Sequence, residues 1–291
     1  MFLKIVKSLT LAGLATALAA AGIRIWQLGE LISPTTGFYT RAHWTAPLLT
    51  GALLAALAAA VLLLIAGRKK TAPAAEALFT ETSPVRLFLV SIAALLAAAS
   101  CFANTSKLFS PAVTDKLPFA CYAVAYLCAA VFFGLMFLYE CRRCPRPRLA
   151  GLLAVAFCII RLILVFIHFE TILNTPLRVA ELLSLIALML FFYAQAKALA
   201  FSLPAGSYTA AAFAAAVLTP VTALPRLWLA LQGSVDCRPL FAAQQPVFAF
   251  ALDTVLALYA ALSLWQAGSA ARYRQTEAVP FPSAEEEPPT E

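Results

Sequence analysis

Eight long apolar runs divide this chain, and no water-soluble fold can absorb that many. They cover Ser8–Leu28, Ala46–Gly67, Leu87–Ser106, Phe119–Tyr139, Leu149–Phe169, Ala180–Phe201, Gly206–Ala230 and Val247–Ala267. Each is close to the ~20 residues that carry a helix across a ~30 Å hydrocarbon core. The runs are rich in Ala and Leu and do not alternate, which predicts helices rather than barrel strands. An open sheet would also leave its edge unsatisfied in lipid. The expected fold class is therefore all-α, a polytopic transmembrane bundle of eight spans within residues 1–274. Hydrophobic residues make up 63 % of the 291 and mean hydropathy is +0.87, so no separate globular domain is expected. Gln275–Glu291, with four prolines and a Glu285–Glu287 run, is too polar to bury a core and reads as a disordered acidic tail.

The net charge of +7 is a matter of placement rather than of nucleic-acid binding. If the runs alternate in direction, Lys4, Lys7, Arg68–Lys70, Arg86, the arginines of the Arg142–Arg148 loop, Lys197, Arg272 and Arg274 share one side. That is 13 of the 21 basic residues. Lys and Arg are retained in the cytoplasm during insertion, so both termini are expected inside, with the basic loops against anionic lipid headgroups. A cleavable signal peptide is the alternative reading of residues 1–21, with Lys4 and Lys7 ahead of an apolar stretch and small residues at Ala19 and Ala21. Against it, the run continues through Arg24 to Trp26 and Leu28, longer than such a segment needs. The seven cysteines suggest little chemistry. Cys141 and Cys144 have CxxC spacing but no second pair to complete a zinc site, and a Cys121–Cys237 disulfide is a remote option.

Charges inside spans are costly, ~2.5–3.5 kcal/mol each at a helix centre on insertion scales, and so call for a partner or a purpose. Arg161 lies roughly 18 Å along the fifth run, and Asp253 roughly 10 Å into the eighth, which runs the other way. Asp253 shares a helical stripe with Ala249, Ala257 and Ala261, while Arg161 shares one with Ala154, Cys158, Val165 and His168. They are expected to form an intramembrane ion pair, serving either to lock helices or as an ion or proton relay. Pro220 and Pro225 in the seventh run should kink or break that helix. Arg24, Gln27, Asn104, His168 and Arg226 all fall in outer halves of spans and form a candidate pocket for an anion or a lipid headgroup. Small-residue ridges, Gly51–Ala55–Ala59 and Ala211–Ala215–Thr219, suit close helix packing. The fragments Ile23-Arg24-Ile25-Trp26 and Ile160-Arg161-Leu162-Ile163 align the first and fifth runs, through either internal duplication or shared insertion constraints.

No phosphate loop, HExxH motif or paired CxxC array is present, and two histidines argue against a His-ligated metal or haem. No cofactor and no enzymatic activity is expected. The stretches Trp26-Gln27-Leu28…Pro34-Thr35-Thr36-Gly37-Phe38-Tyr39 and Arg161…Glu170…Glu181-Leu182-Leu183…Phe191-Phe192 resemble uncharacterised bacterial polytopic membrane proteins. That resemblance implies a bacterial cytoplasmic membrane and no activity. Two functions follow from the residues: transporter- or permease-like handling of an anionic or amphiphilic solute, or a non-transporting accessory, sensory or scaffold role with purely structural charges. A polar cavity among the fifth, seventh and eighth spans would favour the first, and a packed core the second.

Overall fold

The computed structural model describes residues 2–33, 39–67, 83–111, 113, 115–143, 149–167, 176–200, 205–232 and 245–277. They form eight helices: α1 (Phe2–Glu30), α2 (Thr45–Gly67), α3 (Pro84–Leu108), α4 (Leu117–Glu140), α5 (Gly151–Ile167), α6 (Pro176–Ala200), α7 (Ala205–Gln232) and α8 (Val247–Glu277). Among the described residues the only strand-like feature is a single bridge between Ile32 and Tyr39. Seven helices are long and apolar enough to cross a membrane, and α5 is apolar but 17 residues long over its described length. Two helices outrun their apolar segments. α1 begins at Phe2, and α8 continues past Ala267 to Glu277, so Gln275–Glu277, expected to belong to the tail, are helical. Hydropathy marks where lipid would end, whereas helical hydrogen bonding persists into water through good helix formers such as Ala, Arg and Gln. The rest of the tail, residues 278–291, lies outside the described residues.

The surface and interior are reversed relative to a soluble protein. Large apolar side chains face outward, with Leu54 61 %, Leu62 65 %, Leu95 70 % and Phe102 76 % exposed, while Arg24, Arg86, Glu140, Arg161, Glu181 and Asp253 are buried. This arrangement is stable only where the surroundings are as apolar as the surface, which fits a multi-pass membrane protein.

Helix α7 sits at the centre, packed against α1, α2, α6 and α8, while α8 also meets α3, and α5 lies between α4 and α6. Its Ala211–Ala215–Thr219 ridge is turned inward, with Ala215 and Thr219 fully buried. The α2 ridge is not: Gly51 and Ala55 are exposed, and α2 packs instead through Leu49, Ala56, Ala60 and Leu63. Glycine matters most at Gly151, where an added Cβ would stand 2.6 Å from Ala196 Cβ and 2.8 Å from its Cα. That close approach seats α5 on α6.

The expected break in α7 does not occur. The helix runs through Pro220 and Pro225 from Ala205 to Gln232. Each proline removes one backbone donor, and packing on four sides holds the remaining turns in register. The Thr222 hydroxyl donates to the Thr219 carbonyl at 3.0 Å within this stretch.

The basic loop after α4 starts with a helix-ending motif. Arg143 N–H donates to Leu138 O and Arg142 N–H to Tyr139 O, both at 2.9 Å, with Arg142 at φ 56°. Glycine usually takes that left-handed position. An arginine there accepts backbone strain in exchange for a charge at the helix end.

Candidate functional site

Contacts between helix ends define two polar levels separated by an aromatic one. At the end where α1 finishes, called the far end here, late residues of α1, α5 and α7 meet early residues of α2, α8 and α6. The opposite, near end carries the start of α3 and the ends of α4 and α8. Along α8 the levels are marked in order by Asp253, Tyr259 and Gln266, about 9 Å and then about 10 Å apart by helical rise.

At the far level, the buried stripe of α5 is Ala154, Cys158, Arg161 and Val165, while Ile163 and Phe166 are exposed. Arg161 therefore projects into the bundle. Its Nη1 donates to Asp253 Oδ1 at 2.5 Å and its Nη2 to Oδ2 at 2.7 Å. This fork-on-fork geometry is the strongest form of charge-assisted pairing. The guanidinium also lies 5.1 Å from the Phe157 ring centroid and 5.9 Å from that of Tyr126, both buried. Those ring faces add cation–π attraction in a dry setting.

A second carboxylate, Glu181 on α6, stands at the same level. Arg226 Nη1 donates to its Oε1 at 2.7 Å and Arg226 Nη2 reaches Oε2 at 2.5 Å. Arg178, one turn earlier on α6, donates to Oε2 at 3.2 Å. The Ser184 hydroxyl donates to the Glu181 carbonyl, and Thr222 Oγ1 on α7 lies 3.2 Å from Ser184 Oγ. Side chains of four helices, α5 to α8, thus enter two ion clusters.

Between the clusters is a small cleft of about 10 Å³, lined by Tyr122, Arg161, Val165, Glu181, Arg226, Gln245 and Phe250. Its free interior has room for roughly one water molecule. Gln245 at its edge accepts from the Tyr126 hydroxyl at 2.9 Å. Two guanidinium groups and one carboxylate therefore border a space too small, as it stands, for an organic solute.

Below the cleft, Phe132, Phe133, Phe191, Phe192 and Tyr259 form a block of rings. Their centroids lie 4.9–6.1 Å apart, mostly edge to face. The Tyr259 hydroxyl accepts from the Gln195 amide, so the one polar atom in the block is engaged. The near level follows. Arg86 Nε lies 2.7 Å from Glu140 Oε1, and Arg86 Nη2 donates to Glu140 Oε2 at 2.9 Å. Arg86 Nη1 donates to Gln266 Oε1 at 3.3 Å.

The four described residues of the candidate outer pocket, Arg24, Gln27, Asn104 and Arg226, do not form one pocket. Arg24 donates to Gln27 Oε1 and to the Tyr39 hydroxyl, and Gln27 donates to Thr45 Oγ1, tying α1 to α2. Beside them Trp26, His43 and Trp44 pack with tilted rings, centroids 5.2 and 5.6 Å apart. Asn104 turns back on its own helix, donating to Ser100 O at 2.8 Å. Of these four, only Arg226 lines the cleft, and His168 lies outside the described residues, as do Cys144 and Cys237. Equal depth in a span does not imply equal azimuth about its axis, which is why the grouping separates. Arg24 and Arg161, matched in the aligned fragments, likewise have different settings.

Sequence reasoning missed Glu181, Arg178 and the Arg86–Glu140 pair as partners. One signal was available: Arg178 and Glu181 are three residues apart, the spacing of helical neighbours. Among the described residues no three His, Cys, Asp or Glu side chains gather as metal ligands. No family model, curated protein or solved structure matches the chain.

Proposed function

We propose that the chain is an eight-span protein of a bacterial cytoplasmic membrane, with both termini inside and the far end outside. We propose further that it handles a small anionic or amphiphilic solute in the manner of a permease. The orientation rests on the basic asymmetry of the loops. The functional reading rests on one observation: Arg161 and Arg226, from different helices, border the same far-level cleft. Guanidinium groups at this depth are costly unless a negative charge meets them, and a cleft between two of them suits an anionic group. The aromatic block then acts as the seal of a closed state, with solute admitted from the far end.

A specific observation supports the second reading, that of an accessory or scaffold protein. The block fills the bundle centre with rings of 0–1 % exposure, and both far-level carboxylates are already paired. The two readings separate in a binding experiment on the purified protein in lipid nanodiscs. Acetate, phosphate and lysophosphatidylglycerol are titrated against sodium chloride of matched ionic strength while thermal unfolding is followed. At ten times its dissociation constant, a bound anion stabilises by about 1.4 kcal/mol. The permease reading expects saturable stabilisation by at least one of the three, absent in Arg226→Gln. A response to none of them beyond the salt effect sinks that reading and leaves the accessory role.

A further inference from the structure

Resting on that reading, we propose that Glu181 is a built-in stand-in ligand: its carboxylate occupies the seat of a small carboxylate solute, which displaces it from Arg226. Three features of the geometry carry this. First, the Arg226 fork grips both oxygens of Glu181 from across the α6–α7 boundary, at 2.7 and 2.5 Å. That is the arrangement by which an arginine recognises a free carboxylate. Second, Glu181 borders the cleft together with Arg226 and Arg161, whereas Asp253 is not among the lining residues. Of Glu181 and Asp253, only Glu181 faces the space a solute would enter.

Third, Glu181 can let go of Arg226 without becoming a stranded charge. Arg178 sits one turn away on the same helix and already contacts Oε2 at 3.2 Å. Withdrawal toward Arg178 exchanges a cross-helix pair for one within α6. The solute carboxylate then pairs with Arg226, so every buried charge remains partnered throughout, which a desolvated site requires. The exchange also removes an α6–α7 tie, linking occupancy of the seat to loosening of the seal. In the closed structure the cleft has room for about one water, because the seat is filled by the protein's own carboxylate.

The test uses the full chain in nanodiscs and acetate as the probe, with sodium chloride at equal ionic strength as reference. Glu181→Gln keeps the side-chain volume and removes the competing charge. The half-saturating acetate concentration should fall at least about tenfold, because an occupied seat lowers apparent affinity by the fraction of time it is free. Glu181→Asp retains the charge but shortens its reach. It should fall between wild type and Glu181→Gln, and it carries the test if the Gln variant does not fold. Adding Arg226→Gln to either variant should abolish the response. Wild-type stabilisation by acetate with no tighter binding in either Glu181 variant overturns the stand-in role and leaves the permease reading intact. Stabilisation by lysophosphatidylglycerol with no acetate response in any variant has the same consequence. No response to any anion overturns both.

Discussion

Asp253→Asn is expected to destabilise the detergent-solubilised protein by about 3–5 kcal/mol, because it leaves the Arg161 guanidinium buried against an uncharged amide. Arg161→Gln should cost a similar amount by stranding Asp253. The pair is bidentate, and its side chains are 6 % and 10 % exposed, so water can replace little of what is lost. The double variant Arg161→Gln/Asp253→Asn should recover a substantial part of either single loss. A coupling of 0.5–3 kcal/mol is about the range for residues in direct contact. Additive single losses, measured by thermal or denaturant unfolding in one detergent, would show that the two charges do not depend on each other. Tyr126 and Phe157 place ring faces beside the guanidinium, so Arg161→Lys is not conservative here. A lysine has a single ammonium and cannot make the fork.

The Arg86–Glu140 pair at the near end is expected to show an effect as large, with a different outcome in the double variant. Arg86 is 1 % and Glu140 4 % exposed, so Glu140→Gln should cost about 3–5 kcal/mol by stranding Arg86. The pair is tied to α8 as well, through the Arg86 contact with Gln266. Replacing both members with apolar residues of similar volume, Arg86→Met with Glu140→Leu, should be neutral or stabilising by about 1–4 kcal/mol. Thermal midpoints of the four proteins close this cycle. A double variant as unstable as Glu140→Gln would mean that the charges do more than hold α3 to α4.

These contrasts bear on what the sequence could reveal. Hydropathy reports which residues can face lipid, so the helices were legible almost in full, and errors lay only at ends such as Phe2 and Glu277, where water takes over. Arg161 and Asp253 were legible because each lies deep in an apolar run, on a stripe of small residues that fixes its direction as well as its depth. Glu181, Arg178, Arg86 and Glu140 were not. Each lies at the edge of its run, where a charge looks like part of a loop. Their burial depends on how neighbouring helices overhang them, and that is a tertiary property. Arg24, Gln27, Asn104 and Arg226, grouped by depth alone, have separate settings because depth does not fix azimuth. Of the kink or break expected at Pro220 and Pro225, the break is absent, because the four-sided packing of α7 outweighs the lost backbone hydrogen bonds.

In the proposed function the far-level cleft is an entry for small anions from outside, sealed beneath by the aromatic block. Val165→Cys and Phe250→Cys place thiols in the cleft wall, and Phe192→Cys places one in the block. A membrane-impermeant thiol reagent applied to the outside of intact cells gives the most direct measurement, read against the unsubstituted chain, whose own cysteines set the background. Labelling is expected at 165 and 250, slowed by millimolar acetate, and none at 192. Labelling at neither cleft position, or at both only when the reagent is admitted to the cytoplasm, would contradict it.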